Sequence, residues 1–229
     1  VAVDQYGNTV TNTVTITIVD DVPSVTLTGN ALAQLQVDET SMGVADSADF
    51  SGAFSHDFGA DGDNGAGLVF TLEVDAAATG LVDTLTGQEI DLVDNSGVIE
   101  GQNANGDVVF TVAVDASGEV TLTQSRPVQH ANLNDPDDVV SLPNGSLLLT
   151  ATATDGDGDV ASDSVDIGGR LSFRDDGPSI GAPPAASAVD EAWLTTGSGD
   201  GDPALSTTAE ADLDVDFGAD GQGSLVFSD

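Results

Sequence analysis

The chain has 229 residues, with 40 Asp or Glu against 3 Lys or Arg and a formal net charge of −37. A field of that sign excludes nucleic acid and direct insertion into or binding of an anionic membrane surface. Cysteine is absent, so neither disulfides nor thiolate metal sites hold the chain together. No apolar run approaches the ~18 residues of a membrane span.

Aspartate dominates the acids, and the only cations are Arg126, Arg170 and Arg174. Hydrophobic residues make up 39% of the chain and fall in alternating runs, which argues against disorder. A cysteine-free extracellular chain needs another staple, and a divalent cation is the obvious one.

Residues 9–19 place Val10, Val14, Ile16 and Ile18 on one face and threonines on the other, the period-two signature of a half-buried strand. Asp20-Asp21-Val22-Pro23 then stops the sheet, because proline lacks the donor that a central strand needs. Strand signal restarts at Val25-Thr26-Leu27 and continues through Leu35-Gln36-Val37 to Asp38-Glu39. Residues 40–67 are small, polar and glycine-rich, with an acidic cluster at 57–65 that includes Asp61 and Asp63. Strands are predicted at 68–74, more weakly at 80–93, and strongly at 107–114, where Val108, Phe110, Val112 and Val114 alternate. Asp115-Ala116-Ser117-Gly118 turns that strand back into Val120-Thr121-Leu122. After a long connection at 125–145, strands at 146–154 and 160–167 flank Asp155-Gly156-Asp157-Gly158-Asp159, and Leu171-Ser172-Phe173 leads into Asp175-Asp176-Gly177-Pro178.

The two Asp-Asp-x-Pro segments lie 155 residues apart, and the chain repeats itself around them. Val3-Asp4-Gln5-Tyr6-Gly7-Asn8 is a weaker copy of the 153–159 loop. Val189-Asp190-Glu191 echoes Val37-Asp38-Glu39, residues 216–221 echo 57–62 letter for letter, and Leu225-Val226-Phe227 echoes Leu68-Val69-Phe70. The expected organisation is the end of one repeat (1–21), one complete repeat (22–176) and the start of the next (177–229), so the chain is expected to be a fragment of an array. With no amphipathic helical stretch, each repeat should be an all-β antiparallel sandwich, Ig-like but enlarged beyond ~100 residues.

Asp155, Asp157 and Asp159 present carboxylates at alternate positions on a glycine-spaced turn, which suits Ca²⁺ and its six to eight oxygen ligands. A solvated hairpin turn has a similar composition. If 146–154 and 160–167 are the last hairpin of a sandwich, their loop should lie near Asp20 and Asp21, and ligands near Asp175 and Asp176 should come from the next copy. A cation there would fix the interdomain angle, whereas the bland alternative is a proline-stopped acidic linker. Asp38-Glu39 and Asp190-Glu191 are either further ligands or exposed turns, and Asp61 with Asp63 marks a second candidate site. His56 and His130 are the only histidines, no catalytic motif appears, and His130 is read as structural. A non-catalytic chain is therefore expected.

Residues 80–90 (GLVDTLTGQEI), 108–124 (VVFTVAVDASGEVTLTQ) and 146–180 resemble the long tandem repeat of type I-secreted RTX adhesins, giant surface and biofilm proteins of Gram-negative bacteria. The resemblance implies export through a type I channel, an extracellular cell-surface location, and calcium-stiffened extender domains whose partners are neighbouring repeats. Host or biofilm ligands would be met through a distal domain. The nonapeptide calcium repeats that name the RTX group are absent from this sequence. Two rival readings stay open: a repeat that itself binds glycan or peptide, using the 40–67 and 125–145 segments, and an acidity that serves salt adaptation.

Overall fold

The strongest period-two runs become the centre of a six-stranded antiparallel sheet. The computed structural model describes residues 1–132, 135–182, 192, 197–200 and 213–226. Val108–Val114 pairs with Glu119–Gln124 on one side and with Val98–Asn103 on the other. The meander continues through Gln88–Asn95 to Ala78–Asp83, and Ala45–Asp49 closes the opposite edge. At the 115–118 turn, the Asp115 carboxylate accepts the backbone N–H groups of Ser117 (2.8 Å) and Glu119 (2.9 Å). Gly118 there adopts φ +87°, which a side chain would resist.

The facing layer comes from three smaller sheets. Val69–Val74, Leu147–Thr154 and Val160–Asp166 form one, Ser24–Leu27 with Phe54–Asp57 a second, and Val139–Ser141, Leu171–Arg174 and Leu35–Asp38 a third. Alternate residues point inward: Leu147, Leu149, Ala151, Leu171 and Phe173 from this layer, and Ile90, Ile99, Phe110, Val112 and Leu122 from the six-stranded sheet are all fully buried. Each large side chain so buried stabilises the fold by roughly 1.5–3 kcal/mol before entropy is charged against it. The rings of Phe110 and Phe173 meet across the layers, with centroids 4.9 Å apart. Gly101, paired with Phe110, leaves room for that ring, which a Cβ at 101 would penetrate. The result is the expected all-β sandwich.

One long hairpin sets the two ends of the body. Its arms pair from Val139↔Arg174 and Ser141↔Ser172, break together at 142–146 and 167–170, and resume from Leu148↔Asp166 to Thr154↔Val160. The break lets each arm pass from one sheet to another. The tip of the hairpin carries residues 155–159, and its open end carries Asp138 and Asp175, whose backbones are joined by a hydrogen bond (Asp175 N–H to Asp138 O, 2.9 Å). Pairing is antiparallel throughout the described residues except that Leu171–Arg174 runs parallel to Leu35–Asp38. That exception joins the beginning of the body to its end.

Three expectations need correction. Within 9–19 only Thr9–Val10 is strand, paired with Ala2–Val3, while Val14, Ile16 and Ile18 are more than 80% exposed. A period-two face is buried only when a sheet covers it, and no described residue packs there. Residues 40–67 are not a plain connection, since they supply Ala45–Asp49 and Phe54–Asp57. Val98–Asn103, with its polar Glu100-Gly101-Gln102-Asn103 run, had no strand signal yet sits inside the six-stranded sheet. Among the described residues the helical elements are short 3₁₀ turns, such as Glu39–Ser41.

Candidate metal centres at the two ends of the sandwich

At the hairpin tip, the Asp155 carboxylate folds the loop on itself. Its Oδ1 accepts the N–H groups of Gly158 (3.0 Å) and Asp159 (2.8 Å), and Asp155 N–H donates to Asp159 O (3.0 Å). The 57–64 loop lies against it, with Asp63 bridged to Asp155 and Asn64 N–H donating to Thr154 O (3.3 Å). Gly156 is packed so close that a Cβ would sit 2.6 Å from Asp61 O. The incoming chain docks on the same surface: Asp21 accepts Ala60 N–H (2.9 Å), and Ser24–Leu27 pairs with Phe54–Asp57.

These contacts gather five carboxylates from three segments. One oxygen each from Asp20, Asp157 and Asp159 lies within 4.8 Å of the others, and the same holds for Asp61, Asp155 and Asp157. Asp155 is fully buried, and its Oδ2 has no hydrogen-bond partner. The Asp155 carboxylate beside it, above all, raises the pKa of Asp157, with burial and the charges of Asp20 and Asp61 adding to the rise. For Asp155 itself burial pushes upward, but the neighbouring Asp157 and the loop N–H groups outweigh it and hold the group below its ordinary value. Asp155 and Asp157 thus press on each other in a place where a cation would serve both. The donors are all oxygen, and one of the two Asp155 carboxylate oxygens is buried without a partner, so the residues fit a hard divalent ion.

The docking geometry recurs at the other end. Asp176 accepts Ala219 N–H (2.9 Å) as Asp21 accepts that of Ala60, and Ser179–Ile180 pairs with Val215–Asp216 as Ser24 pairs with Asp57. Gly218 (φ +76°) packs against the Asp176 carboxylate as Gly59 (φ +71°) packs against that of Asp21. Asp4 also copies Asp155: it accepts Asn8 N–H (2.8 Å) and donates its own N–H to Asn8 O (3.0 Å). Tyr6 and Asn8 stand where the later copy has Asp157 and Asp159, so the first copy has no second or third carboxylate in this loop.

A second cluster lies at the open end of the hairpin. The parallel register Arg174↔Asp38 makes Glu39 and Asp175 neighbours. The 126–130 segment is tied in by Gln129 N–H to Val82 O (2.8 Å) and Val128 N–H to Glu39 Oε1 (2.8 Å), which brings His130 between them. Ligating atoms of Glu39, His130 and Asp175 all lie within 4.8 Å of one another. Burial, above all, pushes the Asp175 carboxyl up to about 6, although His130 pulls the other way. Burial lowers the His130 pKa, but Glu39, Asp175 and Asp138 outweigh it and leave the imidazole above its ordinary value.

The structure therefore sorts the candidate residues. Asp20, Asp61, Asp155, Asp157 and Asp159 come together at one end, as two groups of three that share Asp157, so the 57–64 cluster lies against the 155–159 loop. Glu39 and Asp175 come together at the other, with His130 as a member that sequence reading took as structural. Asp21 and Asp176 face the docked loops. Asp38 caps Thr40 N–H (2.9 Å) and pairs with Arg174 (3.3 Å). Asp63 accepts the N–H groups of Gly65 (3.0 Å) and Gly67 (3.1 Å). Asp190-Glu191 and Phe227 lie outside the described residues. No local pattern marks His130, since its partners are distant in sequence and meet only through the parallel strand pair.

Fold and clusters together define an all-β sandwich with acidic groups able to hold a metal ion at both ends of its closing hairpin. The chain belongs to the DUF5801 family, a domain of unknown function, whose pattern matches residues 34–168. No curated protein and no solved structure matches the chain.

Proposed function

We propose that residues 22–176 are one complete repeat of a tandem array, and that the array is a non-catalytic, calcium-binding extender of a secreted RTX-type bacterial adhesin. The observation that carries this reading is the meeting of Asp20, from the segment before the sandwich, with Asp157 and Asp159 at the hairpin tip. A cation held there joins one repeat to the next and fixes the angle between them. Calcium is favoured because every donor is oxygen, and because an extracellular chain of this charge meets calcium at millimolar concentration after export. A module-type site of Kd ~10⁻⁴ M then contributes about 1 kcal/mol, and each ion also relieves carboxylate repulsion. The recurrence of the docking geometry at Asp176 supports an array.

The rival reading places a glycan- or peptide-binding site on 40–67 and 125–145, segments that also supply Ala45–Asp49, Phe54–Asp57, Val139–Ser141 and His130. Amide hydrogen exchange on the whole chain tests the extender reading. Calcium should slow exchange at Ala60, whose N–H is held by Asp21, together with Gly158 and Asp159. Exchange at Ala60 that ignores calcium would remove the junction from the mechanism.

A further inference from the structure

We infer that Glu39, His130 and Asp175 form a second kind of metal site, one that takes a borderline first-row divalent ion of the zinc class and not calcium. The inference goes beyond the extender reading and does not depend on it. Glu39 is 2% exposed and His130 6%. Glu39 Oε2, both His130 ring nitrogens and Asp175 Oδ1 are buried without a hydrogen-bond partner. Glu39 Oε1 is already satisfied by Gln124 Nε2 and Val128 N–H, each at 2.8 Å, and His130 Nε2 lies 3.4 Å from it, beyond good hydrogen-bonding distance. Glu39, His130 and Asp175 thus each bring a ligating atom within 4.8 Å of the others, in a place where buried polar atoms lack partners and native interiors leave very few such atoms.

Charge leads to the same place. Two carboxylates buried together need a cation, and the chain has no lysine. Arg126 is committed to Asp83 and Asp107, and Arg174 to Asp38 and Asp137. A protonated His130 would neutralise only one of the two acids, while a dication neutralises both and uses the imidazole as a neutral ligand. Asp220 and Asp138 add further negative potential around the group. The donor type then chooses the ion. Calcium takes oxygen ligands, whereas one imidazole with two carboxylates is a donor set of zinc and its first-row neighbours, which leaves a position for water. The cluster at the hairpin tip contains no nitrogen, so the two ends of the repeat select different metals.

The test is calorimetric titration of Zn²⁺ into the whole chain in excess calcium, which fills the all-oxygen site. One zinc ion should bind, with affinity lowered at least tenfold in His130→Gln and unchanged in His56→Gln, the control at the only other imidazole, which is exposed. His130→Gln must keep the parent's far-ultraviolet circular dichroism spectrum, which shows that it folds. Ring resonances of the two histidines read the same event without any change to the buried site. Zinc should shift the His130 ring and leave His56 unmoved. Absence of zinc binding in calcium, equal binding by His130→Gln, or an unshifted His130 ring would overturn the site and leave a histidine–carboxylate ion pair.

Discussion

Asp20 and Asp157 approach within 4.8 Å, although one precedes the first strand of the sandwich and the other caps its closing hairpin. At neutral pH such a meeting is repulsive unless a proton or a cation sits between the groups. The pKa of Asp157 is raised, so the stability linked to it is complete below the unfolded carboxyl value and is lost as pH rises through the folded one. Asp157→Asn should therefore act with opposite sign in two conditions. In chelator at pH 7 its melting temperature should equal or slightly exceed the parent's. In millimolar calcium it should fall by about 2–4 °C. Differential scanning calorimetry in both buffers decides, and equal melting temperatures in calcium would count against the site.

Gly59 and Gly62 separate backbone strain from close approach. Both have positive φ, +71° and +69°, but a Cβ at 59 would press on the Asp21 carboxylate at 3.1 Å while one at 62 meets nothing. Alanine at either position costs about 1 kcal/mol for the left-handed backbone. Gly59→Ala should cost more than Gly62→Ala in urea unfolding, and it alone should weaken calcium binding by displacing the incoming segment.

Gly156→Ala tests whether the two acidic loops are one site. The new Cβ would sit 2.6 Å from Asp61 O, so the 155–159 turn and the 57–64 loop must part. Calcium affinity should drop several-fold as Asp61 leaves Asp155 and Asp157. If Asp61 serves a separate site, only a local loss of stability will be seen.

Asp83 gives an acid-sensitive term unrelated to metal. It is fully buried and receives Arg126 Nη2 (2.9 Å), Asn103 Nδ2 (2.7 Å) and Thr86 Oγ1 (2.7 Å). Burial pushes its pKa up, but the Arg126, Thr86 and Asn103 hydrogen bonds win and hold it below the ordinary carboxylate value. Its contribution is present above the unfolded pKa, ~3.9, and is lost as pH falls through the folded value. Asp83→Asn should cost about 2–4 kcal/mol at pH 7, and the cost should shrink as the pH is lowered below about 4. Urea titrations across pH in chelator measure both quantities.

Much of this arrangement is legible in the sequence wherever the signal is local. Val108, Phe110, Val112 and Val114 alternate because one face of their strand packs on Phe173 and its neighbours. The proximity of Asp20 to residues 155–159 follows from a hairpin that must return to the end where the chain comes in. Other features rest on tertiary contacts that no short window contains. Val98–Asn103 is polar by sequence, yet Gly101 is there to admit Phe110. Ile16 and Ile18 alternate as a strand should, but their face has no cover among the described residues. His130 looked structural because Glu39 and Asp175 reach it only through the parallel pairing of Leu35–Asp38 with Leu171–Arg174.

The central claim is that calcium joins the segment carrying Asp20 to the sandwich. It is tested most directly by the melting temperature of the whole chain during a calcium titration at constant ionic strength, beside Asp20→Asn. The account predicts a calcium-specific rise of several degrees, saturating in the millimolar range and reduced in Asp20→Asn. A rise that sodium reproduces, or one that Asp20→Asn shows in full, would contradict it.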